Sequence, residues 1–426
     1  MLSSNRRTFL AGLAAGAMAS YARASFAGAP NQRIVVAVMG LGRGAAVAQT
    51  FAQQPDTVVK YLCDVDSARS APVAKSFEAR YGTAPEVITD FRHALDDKDV
   101  DVLVCAAPNH WHGPATILAC AAGKHVYVEK PCCHNPQEGE WMVAAARKYR
   151  RCVQMGNQRR SAPGTQRAIQ RLKEGAIGRV YLAKSWYNNN RPPIGKGVPA
   201  EVPSTLNYDL WQGPAPRRPY LTNRIHYNWH WFWHWGNGEL GNNGVHTIDL
   251  CRWGLGVDYP TRVVSTGYRY RYDDEQETPD THMVAFEFGG QAMIVWEGRS
   301  CHRHNEGFVK FYGESGTMAL ESNGTYTIYD MQDKQVEREV GNTVGDAQHA
   351  ANLLEAIRAD DPERLNSEIE EGHKSTLLCH LGNIAYRTTG SVQCDPANGR
   401  LRAEANPSEA LALWSREYEP GWEPKF

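Results

Sequence analysis

A two-domain α/β fold follows from three features of the 426-residue chain. Ile34 to Met39 is an unbroken apolar run, and Gly40-Leu41-Gly42-Arg43-Gly44-Ala45 follows it at once. Strand-like apolar runs then alternate with helical stretches as far as Met155, the pattern of a parallel sheet with helices on both faces. From Val180 onward, short segments alternate apolar and polar residues, as strands do when one face is packed. The length suits two domains, each able to bury a core.

The first apolar run reads as a buried strand. Gly40 makes the tight turn after it, and Gly42 lets backbone approach a pyrophosphate. Ala45 takes the third small position, where helix packs on strand. The helix that follows turns free N–H groups and its positive dipole end toward the phosphates. A second strand, from Val58, ends at Asp64 about 20 residues on, where a carboxylate accepts from a ribose 2′-hydroxyl. These are the parts of a Rossmann dinucleotide site, with residues 40 to 45 and Asp64 binding the cofactor. Asp64 would repel a 2′-phosphate, which favours NAD. The nearby cations Arg43 and Arg69 leave room for NADP.

Helices follow over residues 68–81 and from Phe91, with Val87 to Phe91 a short strand or its connection. Val100 to Ala106 is the next buried strand, and it runs into Ala107-Pro108-Asn109-His110-Trp111-His112. Loops at the C-terminal ends of such strands line the cofactor crevice. Pro108, Asn109, His110 and His112 therefore lie where nicotinamide ribose or substrate would sit. A helix spans Pro114 to Ala122, and Gly123 stops it. The strand His125 to Val128 ends in Glu129-Lys130-Pro131. A lysine at that tip, in a partly dehydrated crevice, can have a lowered pKa and relay a substrate proton. The plainer alternative is a surface lysine paired with Glu129. After a helix from Gln137 to Tyr149 and a last strand at Cys152 to Gly156, Asn157-Gln158-Arg159-Arg160 crosses to the second domain. Gln158 is placed against the cofactor.

Pro163 to Glu174 reads as a helix, and Val180 to Tyr187 as a strand. Residues 188–220 are rich in Pro, Gly and Asn, an irregular insertion of the kind that covers binding sites. Tyr227 to Glu239 is dense in aromatic residues interleaved with His, Asn and Glu. Aromatic faces pack on the C–H faces of sugars, and polar neighbours bond the hydroxyls. Tyr187, His230, Trp233 and Asn237 are the candidate substrate contacts, against the alternative of aromatic packing beneath the insertion. His226, His230, His234 and His246 tempt a metal reading, but no carboxylate or cysteine completes a ligand set. His246 and Asp249, three apart, open a helix on a shared face. Further strands are expected at residues 262–271, 282–288, 292–297, 308–312 and 325–329, and helices at 346–359 and 368–388. Residues 401–426 form a tail with a helix and an aromatic, Pro-rich end that the sequence does not place.

The formal net charge of −1 gives no reason to expect nucleic-acid binding. No run of about 20 apolar residues indicates a membrane span. Residues 1–30 contain Asn5-Arg6-Arg7-Thr8-Phe9-Leu10, a short Ala/Gly/Leu stretch and small residues suited to cleavage, a twin-arginine signal pattern. The expected organisation is that signal, a nucleotide domain over 31–156, a substrate and oligomerisation domain over 157–400, and the tail. The export machinery would then be a partner and the periplasm the location. The ten cysteines are scattered without a C-x-x-C pair. They read as free core thiols, vicinal Cys132 and Cys133 included.

The glycine loop, Pro108-Asn109-His110-Trp111-His112 and Tyr127-Val128-Glu129-Lys130-Pro131 resemble the glucose–fructose oxidoreductase/inositol dehydrogenase/MocA (Gfo/Idh/MocA) family. Gly175-Ala176-Ile177-Gly178-Arg179-Val180 and Gly244-Val245-His246-Thr247-Ile248-Asp249 extend the resemblance into the second half. It implies a Rossmann domain followed by an α/β domain with a large open, mainly antiparallel sheet. It also implies homo-oligomers, dimers or tetramers, packed through that sheet. The activity implied is NAD(P)-dependent hydride transfer at a carbon of a sugar, polyol or sugar derivative. His246 would be the acid/base, with Lys130 and Asp249 positioning the substrate beside it. An exported enzyme has no soluble NADH pool to recycle it, so a tightly bound nicotinamide reset within the cycle is expected. Paired oxidation and reduction of two sugars would do that. So would a glycosidase or lyase cycle through a transient 3-keto sugar. Exported N-acetylgalactosaminidases of the family share the twin-arginine signal but carry valine where this sequence keeps Lys130. A reading of another class is a non-catalytic sugar-binding protein that holds NAD.

Overall fold

The computed structural model describes residues 33–425. The twin-arginine segment, and with it the expectation of export, lies outside the described residues.

The first half builds β1 (Ile34–Met39), α1 (Arg43–Ala52), β2 (Thr57–Cys63), α2 (Ser67–Tyr81), β3 (Glu86–Ile88) and α3 (Arg92–Asp96). It continues with β4 (Val102–Cys105), α4 (Asn109–Ala121), β5 (His125–Val128), α5 (Pro136–Tyr149) and β6 (Val153–Met155). The six strands form one parallel sheet in the order β3-β2-β1-β4-β5-β6. The central strands are buried on both faces because their Val, Leu, Ala and Cys side chains meet helices above and below. The order reverses between β1 and β4, so the strand ends there splay apart and leave a crevice.

α4 begins five residues before the predicted start and carries Pro114 inside it. Pro114 has no N–H, so the His110 carbonyl one turn earlier loses its helical partner. Arg416 from the C-terminal tail donates to that carbonyl at 2.7 Å.

The second half adds α6 (Pro163–Lys173), β7 (Val180–Asn190), α7 (Tyr208–Gln212) and α8 (Val245–Leu255). Then come β8 (Arg262–Tyr268), β9 (Thr281–Phe288), β10 (Ala292–Arg299), β11 (Cys301–His302), β12 (Val309–Gly313), β13 (Thr317–Leu320), β14 (Tyr326–Tyr329) and β15 (Gln335–Glu339). α9 (Asp346–Arg358), α10 (Ile369–Arg387), β16 (Ser391–Gln393) and α11 (Ser408–Ala412) close the chain. The large sheet runs β15-β14-β13-β12-β7-β10-β9-β8-β16, with β11 attached to β7. Among the described residues only its β10–β7 pairing is parallel. The sheet is therefore mainly antiparallel. In β9, His282, Val284, Phe286 and Phe288 turn inward while Met283 is exposed, the two-residue period of a sheet covered on one face. α8 and α10 supply the cover.

Four strands, β11, β13, β15 and β16, lie outside those expected from the sequence, and β11 is only two residues long. β15 reads Gln-Val-Glu-Arg-Glu, a polar edge with no apolar alternation, and β13 and β16 are too short to show a period. After the large sheet, α9 returns to the first half. Its Ala350, Leu353 and Leu354 join Val36, Val38, Val47 and Phe51 in one apolar cluster. The tail acts as a strap. Arg416 and Tyr418 both bond the fully buried Glu138 carboxylate, at 2.6 and 2.9 Å, and the Trp422 ring meets Trp111 edge-on at 5.1 Å. All ten cysteines are buried free thiols, with the sulfurs of Cys132 and Cys133 3.7 Å apart. Among the described residues no helix is long and apolar enough to cross a membrane.

Candidate active site

A cavity of about 520 Å³ lies over the C-terminal ends of β1, β2 and β4. That is ample for a small-molecule site. Gly40, Leu41, Gly42, Arg43 and Asp64 line one end, and Pro108, Asn109, His112, Glu129, Lys130 and Gln158 continue the wall.

At the glycine loop the backbone leaves no choice of residue. Gly40 has φ +85°, and a Cβ there would stand 2.6 Å from the Ala106 carbonyl oxygen. Gly44, not Ala45, is the buried small residue against the strands. A Cβ on it would fall 3.1 Å from Ala106 Cβ and 3.3 Å from Val38. Gly44 therefore shapes the helix packing, and neither it nor Ala45 lines the cavity. The N-cap of α1 is Gly42, with no side chain to take up the first-turn N–H groups. Those donors stay open to an anion. Asp64 Oδ2 accepts from Leu41 N at 2.7 Å, and its Oδ1 from Asp66 N at 3.0 Å. The carboxylate thus ties the glycine loop to the end of β2 and keeps further acceptor capacity toward the cavity. Glycine backbone, uncapped helix end and carboxylate together fit a dinucleotide. Arg43 pairs with Glu129 at 3.3 Å and with Asp346, and Arg69 lies 3.9 Å from Asp64.

At the other end, Lys130 and His246 face the same space. Lys130 Nζ donates to the backbone oxygen of Asn242 at 2.7 Å and to its side-chain oxygen at 3.2 Å. Burial lowers the proton affinity of Lys130, partly offset by Glu129 and Glu239. Burial also pushes His246 well below the usual histidine range, with Arg159, Lys130 and Arg43 adding to the effect. His246 Nδ1 has no protein partner. His230 stacks on Trp229 with centroids 3.6 Å apart and donates Nδ1–H to the Tyr227 carbonyl at 2.6 Å. Its pKa falls to about 3, again through burial. The His112 ring nitrogens lie 2.6 Å from the Pro131 carbonyl and 2.7 Å from that of Ala107, so the ring braces the Lys130-Pro131 turn.

Tyr187 and His230 line the cavity as the sequence suggests, but His110, Asp249, Trp233 and Asn237 do not, and His110 is instead fully buried with Nε2 2.9 Å from the Trp211 carbonyl. Asp249 lies on the buried side of α8 itself. It takes Arg160 at 2.9 and 3.0 Å and the Ser375 hydroxyl at 2.6 Å, so its lone pairs serve the contact between α8 and α10. Trp233 packs on Tyr386 and under the Arg387 guanidinium. Asn237 accepts from Asn109 and donates to the His134 carbonyl, both at 2.9 Å, which makes it a bridge between halves of the fold.

The wall holds residues that sequence reasoning missed. Asn189, Arg191, Tyr227, Asn242 and Asn243 all line it. Asn242 precedes His246 by four residues, a spacing that could have flagged it. Arg191 forms an ion pair with the buried Glu239 at 2.6 Å and donates to Tyr227 at 2.8 Å and Tyr187 at 3.1 Å. The insertion closes over the Asp64 end. Ser67 N donates to Thr205 O at 3.0 Å, Asn207 N to Val65 O at 2.8 Å, and His226 Nε2 lies 2.7 Å from Asp66 Oδ2.

Residues 34–157 match the family model for the NAD-binding Rossmann fold of the GFO/IDH/MocA oxidoreductase family. Residues 193–417 match that family's C-terminal alpha/beta domain. The levoglucosan dehydrogenase of Pseudarthrobacter phenanthrenivorans is 26% identical over 199 residues, 47% of this chain and 43% of that protein. A glycosyl hydrolase family 109 protein of Saccharopolyspora erythraea is 30% identical over 166 residues, 37% of this chain and 35% of that protein. The chain thus spans less than half the length of these curated relatives. A solved levoglucosan dehydrogenase in complex with NADH and levoglucosan has the same fold, with a TM-score of 0.66 at 19% identity over 85% of this chain and 99% of that one.

Proposed function

The chain belongs to the Gfo/Idh/MocA oxidoreductase family, and from that premise we propose that it oxidises or reduces a carbon of a sugar, polyol or sugar derivative with NAD(H) kept bound through the cycle. The observation that carries this reading is the meeting of Lys130 and His246, both with lowered proton affinity, in the cavity that the glycine loop opens into. NAD bound along that loop supplies the acceptor for the hydride that leaves the substrate carbon. In the oxidation direction, the substrate O–H proton passes to Lys130 Nζ, and His246 offers its ring nitrogens to the same oxygen or its neighbour. Tyr187, Asn189 and Tyr227 provide hydroxyl and amide partners for further hydroxyls, and the Trp229–His230 stack borders their space. Retention of the nucleotide is supported by the insertion, which bonds across the Val65–Ser67 loop beside Asp64. Asp64 favours NAD, and Arg43 and Arg69 would have to turn toward a 2′-phosphate for NADP to compete.

Protein purified without added nucleotide, mixed with sugars and glycosides and read at 340 nm, tests this. The expected result is an absorbance burst no larger than the enzyme concentration, which decays when a ketose or another carbonyl is added. Absence of any nucleotide in the purified protein would sink the retention. The match to a glycosyl hydrolase family 109 protein favours one second reading, a redox-neutral glycosidase cycle. Steady aglycone release without absorbance at 340 nm would select it.

Self-association through the large sheet belongs to the same proposal. Its uncovered face presents Tyr181, Tyr268 and Met283 at 43, 61 and 47% exposure, apolar groups of the kind that mark contact surfaces. Light scattering should give the mass of two or four chains. A single-chain mass at micromolar concentration would remove it.

A further inference from the structure

We propose that Asn242, oriented by Glu239, is a positioning residue that fixes the single direction in which Lys130 exchanges a proton. The inference rests on the proposed function only for the identity of the substrate. The geometry of the lysine stands without it.

Glu239 is buried, and its carboxylate can only accept hydrogen bonds. It takes Arg191 Nε at 2.6 Å, Asn242 Nδ2 at 3.4 Å and Asn243 Nδ2. The Asn242 amide nitrogen must therefore face Glu239, which turns its oxygen toward Lys130. Lys130 Nζ then meets two acceptors from one residue, the Asn242 backbone oxygen and Oδ1. A neutral amine has two N–H bonds, and Asn242 takes both. One tetrahedral position remains, and it holds the lone pair. Because Lys130 lines the cavity, that position is the one left for the substrate. In the oxidation direction a substrate O–H bond breaks and a third N–H bond forms at Nζ. The resulting ammonium keeps two bonds to Asn242 and gives the third to the substrate oxygen. Reduction runs the same step backwards.

An amide suits this place because it orients the lysine without adding charge. Glu129 and Glu239 favour the protonated lysine, and Arg43, Arg159 and the surrounding protein oppose it. His112, His230 and His246 also face it, and burial pushes all three toward the neutral form.

The test uses two variants, Asn242→Asp and Glu239→Gln, in the full chain. Lys130 acetylation by acetic anhydride is followed against pH by peptide mass spectrometry, with no substrate present. The pH dependence of kcat/KM is measured beside it. Asn242→Asp places a carboxylate on the ammonium and should raise the labelling midpoint by at least about one pH unit. The rising limb of kcat/KM should move with it while KM changes less than about twofold. Glu239→Gln removes a negative charge and frees the amide to turn, so the midpoint should move down and kcat should fall by about tenfold. Opposite displacements are what a merely structural role would not give. An unchanged midpoint in either folded variant, or a shift of the same sign in both, overturns the proposal. If one variant does not fold, the sign in the other decides. The labelling needs no turnover, so it stands or falls separately from the sugar reading.

Discussion

Replacing Lys130 by Met lowers turnover by at least about a hundredfold and leaves NADH binding intact, as removal of a positioned proton-transfer group does. Met matches the length of the lysine stem and fills the same slot, so the loss tests the amine and not the packing. The two Asn242 oxygens lose a donor. A buried acceptor without a partner costs about 1–3 kcal/mol, a tolerable fraction of total stability. The decline should therefore appear in kcat with KM little moved, because Tyr187, Arg191 and His230 form their wall without Lys130. NADH fluorescence titration checks that the nucleotide end is unharmed. Turnover within tenfold of the parent would return the chain to the reading of an NAD-holding sugar binder.

What the sequence made legible was local. Gly40, Gly42, Asp64 and the Glu129-Lys130-Pro131 tip were readable because strand, turn and helix order fixes where such residues sit relative to a parallel sheet. The same logic failed where contacts join distant segments. Asn242 meets Lys130 across 112 positions, and the Arg416–Glu138 pair spans 278. No periodicity encodes either. Asn242 also carries no charge, so nothing in its residue type marks it as a partner of a proton-handling lysine. Composition misled at Trp233 and Asn237. An aromatic, polar stretch can contact sugars or brace a fold. Here its residues divide, with Tyr227, Trp229 and His230 in the cavity and Trp233 against Tyr386 and Arg387. The start of α4 is not legible from Pro114, because a proline favours a helix's first turn but here sits inside the helix. The His110 carbonyl it frees is satisfied from the tail, by a residue some 300 positions away.

Substituting Asp249 by Ala should cost about 3–5 kcal/mol of stability, the penalty for leaving a buried charge without its partner. The resemblance to the family cast Asp249 as a neighbour of the substrate, whereas the structure gives its carboxylate to Arg160 and Ser375. Arg160 is 5% exposed, so a guanidinium stripped of Asp249 cannot turn to water. Glu371, 3.4 Å away, retains part of the pairing, which places the cost at the lower end of that range. The melting temperature should fall by about 4 °C in a chain of this length. The protein that remains folded should keep kcat within several-fold and an unmoved pH profile, because His246 lines the cavity and Asp249 does not. A second variant separates charge from packing. Asp249→Leu with Arg160→Met removes both charges and should recover most of the lost stability, since well-packed apolar pairs replace buried ion pairs at little cost. A parent-like melting temperature with a hundredfold loss of kcat in Asp249→Ala would give the carboxylate back to the chemistry. It would then have to act through α8, by turning His246, for no atom of Asp249 lines the cavity.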